Sequence, residues 1–151
     1  MPAVRGVGLM LLLAALAPVE AAAALGGPAS SVAVDQAHMK ATLQEEAGSV
    51  YTLYEMTTPS GTIVREFVSS ATGQVFAVTW QGPFMPDLKQ VLGEHFATLV
   101  DATGKGRIGR SNASVNRPEV AIHSGGHMRA FAGKAYLPGQ LPEGVGVEDI
   151  R

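Results

Sequence analysis

Apolar positions recur along this chain in three rhythms, and each rhythm predicts a different element. The first is an unbroken run from Val7 to Ala17 (VGLMLLLAALA), preceded by Arg5 and ended by Pro18. It is too short for a permanent membrane helix, which needs about 20 residues. With Ala21-Ala22-Ala23 supplying small residues behind it, the stretch reads as an export signal cleaved after Ala23 or Ala24.

The second rhythm has a period of two. Val50–Met56, Thr62–Ser69 and Gln74–Trp80 are rich in β-branched and aromatic residues, as strands are. Thr58-Pro59-Ser60-Gly61 and Ser70-Ala71-Thr72-Gly73 join them, each ending in a glycine suited to positive φ. The pattern predicts an antiparallel meander over residues 50–80. Three-residue loops closed by Thr58 opposite Thr62 and Ser70 opposite Gln74 would set three rows on one face. These are Met56–Val64–Trp80, Tyr54–Glu66–Val78 and Thr52–Val68–Phe76. The other face would then carry Tyr51, Leu53, Glu55, Ile63, Arg65, Phe67, Val75, Ala77 and Thr79, with Glu55 directly across from Arg65. Both faces are too apolar to be left in water, so each needs a cover.

The third rhythm is helical. Leu88, Val91, Leu92, Phe96 and Leu99 form one stripe of a helix expected over 87–100, with Asp87 as N-cap and Gln90 completing a capping box. Gly93 weakens its middle by about 1 kcal/mol relative to alanine. Residues 101–118 are glycine-rich and polar, carrying Lys105, Arg107, Arg110 and Arg117, and read as a flexible loop. A second hairpin is expected over 119–132 across Ser124-Gly125-Gly126, followed by an extended surface tail from Tyr136. Residues 32–46 suit either a capped helix, with Asp35 near its start, or a strand. The favoured reading is a short helix near Val32–His38 and then an edge strand. The fold class is therefore α+β: an antiparallel sheet of about five or six strands with one main helix on one face. Residues 24–151 form a single domain.

Composition narrows the function. Eleven Lys and Arg stand against 13 Asp and Glu, a net charge of −2, which argues against nucleic acid as the main partner. Cysteine is absent, which excludes disulfides, thiol catalysis, Cys-ligated zinc and a lipid-modified cysteine behind the signal. No later apolar run is long enough for a transmembrane anchor.

The order of segments resembles a family of small exported bacterial proteins known as domain of unknown function 2844. The matching residues include Leu25-Gly26-Gly27, Pro59-Ser60-Gly61-Thr62, Val64-Arg65-Glu66-Phe67-Val68, Trp80-Gln81-Gly82-Pro83, Gly125-Gly126-His127-Met128-Arg129-Ala130-Phe131 and Tyr136-Leu137-Pro138. The resemblance implies export and a Gram-negative source. It implies no activity, so no catalytic residue is carried over.

Glu66 is the most unusual residue by position, a carboxylate placed mid-sheet among Tyr54, Val78, Val64 and Val68. Burial would raise its pKa and make it a functional-site candidate; a Lys or Arg partner, or water at a sheet edge, would make it structural. His123 and His127 fall on opposite faces of a two-residue hairpin, and a three-residue loop would set them side by side but still leave too few ligands for zinc, so no metal and no cofactor is expected. There is no G-x-S-x-G elbow, and Gly104-Lys105-Gly106-Arg107 lacks the phosphate-loop spacing. Trp80, Phe84 and Met85 form an apolar corner that reads as helix packing or as a ligand rim. The leading function is a non-catalytic binding or assembly module of the cell envelope, with no catalytic residues. Tyr54, Glu66, Trp80, Phe84 and Arg65 are its candidate surface. Its partner would be another envelope protein, a second copy or a small hydrophobic ligand. The alternative is a small hydrolase or isomerase using Glu66 in a sheet-face pocket.

Overall fold

A computed structural model describes residues 24–104 and 112–151. The export signal and the Lys105, Arg107 and Arg110 cations lie outside the described residues. The chain runs through helix α1 (Ser31–Met39) and strands β1 (Thr42–Ala47), β2 (Tyr51–Thr57), β3 (Ile63–Ser69) and β4 (Val75–Gly82). Helices α2 (Leu88–Leu92) and α3 (Phe96–Thr103) follow, then β5 (Ala113–Asn116), β6 (Ala121–His127) and β7 (Ala130–Tyr136). All strands join one antiparallel sheet in the order β1-β2-β3-β4-β7-β6-β5. Seven strands exceed the five or six expected because β5, a four-residue edge strand, lies in the segment read as loop.

The meander holds, with one correction. Met56–Val64–Trp80 and Tyr54–Glu66–Val78 pair as expected. The first turn closes through Gly61 N–H to Thr58 O (2.9 Å), with Gly61 at φ 88°. The second loop is one residue longer than expected: Ser69, not Ser70, pairs with Gln74. A bulge two residues later absorbs the difference. Val68 pairs with Val75 and Phe67 with Ala77, leaving Phe76 as the extra residue. Val75 therefore joins the helix-side core and Phe76 turns to the opposite face, the reverse of the simple alternation.

The helices cover the first face, where Leu25, Val32, Leu88, Val91, Leu92 and Leu99 pack on Met56, Val64, Val78, Trp80 and Ile122. Asp87 caps α2 as expected, accepting from Lys89 N (3.0 Å) and Gln90 N (3.3 Å). The expected single helix is broken. Gly93 takes φ 56°, and a 3-10 turn over Gly93–His95 redirects the chain into α3. Part of the second face is closed by the tail, which is no mere surface strap. Ile150 (1% exposed), Leu141 and Val145 pack on Phe67, Phe76 and Ala77. Tyr51, Phe67 and Phe76 cluster there with ring centroids 5.5–6.1 Å apart. The two covers supply what the apolar faces required.

The second hairpin turns at Met128-Arg129, with Arg129 at φ 66°, rather than at Gly125-Gly126. The glycines lie inside β6 because side chains would not fit. A Cβ on Gly126 would meet Ala130 O at 2.2 Å, and one on Gly125 would meet Asn112 Oδ1 at 2.4 Å.

Candidate functional site

The five candidate surface residues do not form one site. Glu66 is completely buried beneath α1. Tyr54 lies beside it across β2, partly buried, its hydroxyl pKa raised by lost hydration and then by the charge of Glu45. Trp80 is 2% exposed, its ring laid over Gly133. Phe84 is 59% exposed, while its carbonyl accepts from Thr62 Oγ1 at 2.8 Å. Arg65 points to the opposite face, where its Nε donates to Glu55 Oε2 at 2.7 Å.

Among the described residues Glu66 has no basic partner, and it is buried mid-sheet rather than reaching a sheet edge. The acid that acts on its carboxyl is Asp35 of α1, which is also fully buried. Asp35 Oδ1 accepts from the Gln90 amide of α2, so Gln90 serves this contact rather than a capping box. Among the described residues neither Glu66 oxygen has an N–H or hydroxyl donor, and Asp35 Oδ2 has none. Burial first, then the charge and hydrogen bond of Asp35, push Glu66 up to about 9. Burial raises Asp35 too, opposed by the Gln90 hydrogen bond and then by the contact with Glu66 and His38. Burial therefore keeps the proton on Glu66 near neutral pH, and the neighbouring acid, Asp35, is held in place by Gln90. Asp35 was legible only as a helix-start residue; nothing in its spacing marks it as Glu66's partner.

The second face carries a different feature. One row crosses all seven strands there: Gln44, Glu55, Arg65, Thr79, Lys134, His123 and Ser114. Every member is polar, whereas the neighbouring row contains Leu53, Phe67, Ala77 and Tyr136. A cleft of about 510 Å³ opens over the middle of the polar row, between it and the Ala132–Gly125 pair, with Ile150 at one wall. Lys134 Nζ donates to Val147 O (3.2 Å), tying the tail to the cleft wall. His123 Nδ1 lies 3.1 Å from Ser114 Oγ. Thr79 is 5% exposed, and its Oγ1 has no partner among the described residues. Of this row the sequence offered only Arg65 as a candidate surface residue; Glu55 entered as its ion-pair partner and His123 as a rejected metal ligand. Lys134 and His123 face each other across the hairpin whose turn the Gly-Gly pair misplaced.

The two histidines share the cleft face rather than opposing it, because β6 runs straight through both. Four residues of strand still separate them by about 13 Å. Among the described residues no three His, Cys, Asp or Glu side chains stand close enough to hold one ion. No helix among them is long and apolar enough to cross a membrane.

The family model for a protein of unknown function, DUF2844, matches residues 21–150. The chain belongs to this family. No curated protein and no solved structure matches it.

Proposed function

We propose that this DUF2844 protein is an exported, non-catalytic binding module of the cell envelope whose ligand site is the cleft on the second sheet face. The carrying observation is the cleft itself. About 510 Å³ lies within the usual range for small-molecule sites, and polar groups converge on one side of an otherwise mostly apolar wall. Ligand capture is favoured over association through a bare sheet face, because helices cover one apolar face and the tail covers the apolar part of the other. A hydrolase or isomerase built on Glu66 finds no support: that carboxyl is sealed under α1, on the face away from the cleft.

Export rests on the leader pattern, and cleavage after Ala23 is the reading that the burial of the next residues supports. Ala24 and Leu25 are already buried, and Leu25 N donates to Val91 O at 3.1 Å. Cleavage after Ala23 preserves these contacts, whereas cleavage after Ala24 removes a core residue. Protein purified from its own envelope fraction should begin at Ala24 and carry a small molecule visible by native mass spectrometry. Ala132→Trp, which fills the cleft from an exposed position on β7, should abolish that adduct. An intact leader on cytoplasmic protein would refute export, and an adduct unaffected by Ala132→Trp would refute the site.

A further inference from the structure

Resting on the cleft as the ligand site, we infer that its ligand is a single-chain anionic amphiphile, with an acid head on the polar row and an apolar body along Ala132 and Ile150. Three observations converge. The charged side chains lining the cleft are Arg65, Lys134 and Arg151, and no Asp or Glu side chain lines it, although the chain as a whole is net negative. Glu55 engages Arg65 through Nε alone and offsets part of that charge. Lys134 has no carboxylate partner among the described residues; its bond to Val147 O satisfies one of three N–H donors.

Thr79 lies between these two cations, paired with Arg65 on one side and Lys134 on the other. Its hydroxyl is buried on the cleft face without a partner, an arrangement proteins rarely leave unless something completes it. A hydroxyl flanked by a guanidinium and an ammonium is a donor set for a carboxylate or phosphate oxygen. His123 adds a ring whose Nδ1 is engaged with Ser114, leaving Nε2 for the ligand. The remaining wall includes Gln81, Asn112 and Ser124, but most of its surface is apolar, with Ala132, Ile150 and glycine backbone, which suits an alkyl chain better than a hydrophilic anion.

The test uses the mature protein stripped of bound lipid, titrated with dodecanoate, dodecyltrimethylammonium and dodecyl maltoside below their micelle concentrations, read by calorimetry. Dodecanoate should bind one to one, and at least tenfold more tightly than either of the others. Lys134→Gln should weaken dodecanoate about tenfold or more, the scale of a charge-assisted hydrogen bond. Thr79→Val should weaken it severalfold while leaving thermal stability equal or higher, since the hydroxyl has no protein partner to lose. Equal binding of all three amphiphiles, or tighter binding of the cation or the neutral sugar, would overturn the anion assignment. If Ala132→Trp still abolished that binding, the cleft would stand as a ligand site. Saturable binding of none of the three would overturn this assignment, and an envelope-derived adduct sensitive to Ala132→Trp would then keep the broader reading alive.

Discussion

Replacing Glu66 by glutamine should make the protein more stable, and more so the higher the pH. Glu66 sits at about 9 in the folded state against an ordinary 4.5, so the folded chain holds a proton that the unfolded chain has released. A raised carboxyl pKa contributes stability that is complete below the unfolded value and is lost as pH rises toward the folded one. The slope over that window is about 1.4 kcal/mol per pH unit. From pH 5 to pH 8 the wild type should therefore lose about 4 kcal/mol, a large share of the 5–15 kcal/mol typical of a domain. Asp35, also raised by burial, acts with the same sign from its ordinary 3.8 upward. Glutamine keeps the shape and stays neutral without a proton to lose. Urea unfolding followed by far-UV circular dichroism at pH 5, 6, 7 and 8 reads both curves. They should nearly meet at pH 5 and diverge by about 4 kcal/mol at pH 8. A protonated-carboxyl infrared band should vanish with Glu66→Gln. Parallel curves, or a wild type whose stability is level across this range, would refute a proton held on buried Glu66.

Three further substitutions probe the scaffold. Ile150→Ala removes the buried anchor of the tail over Phe67 and Phe76 and should lower stability by about 2–5 kcal/mol in thermal unfolding. Gly133→Ala places a Cβ 2.2 Å from Trp80 Cζ2, so it should destabilise by about 1–3 kcal/mol and change Trp80 fluorescence. Asp87→Ala removes the cap shared by Lys89 N and Gln90 N and should lower the unfolding midpoint by the equivalent of about 1 kcal/mol.

What was legible in the sequence follows from how local each signal is. The Thr58–Thr62 turn, the register carrying Glu66 between Tyr54 and Val78, the Glu55–Arg65 pair and the Asp87 cap depend on neighbours within a few residues or on one hairpin. The misses depend on partners far along the chain. Gly125 and Gly126 resemble turn residues, yet they are needed because Asn112 and the β7 backbone approach closely. Phe76 obeys strict alternation until a bulge turns it toward Tyr51, Phe67 and the tail. Gln90 fits a capping box, but a buried acid 55 residues away is the better acceptor. Asp35 and Lys134 acquire their roles only when α1 lies over β3 and β7 lies beside β4.

The pleat separates the molecule's two unusual polar groupings and gives them different consequences. Arg65 and Glu66 are adjacent in sequence, so they face opposite sides of β3. On the helix side a proton is trapped without access to ligand, and it can act only on stability. On the cleft side the polar row is open to a ligand and is joined to the tail through Lys134. The two should therefore respond independently. Lys134→Gln should weaken dodecanoate binding while leaving the pH slope of stability unchanged, and Glu66→Gln should flatten that slope while leaving binding within about twofold, as expected of sites without shared partners. If Glu66→Gln instead changed dodecanoate affinity tenfold, the strand would be transmitting the state of the buried acid pair to the cleft, and the division by face would fail.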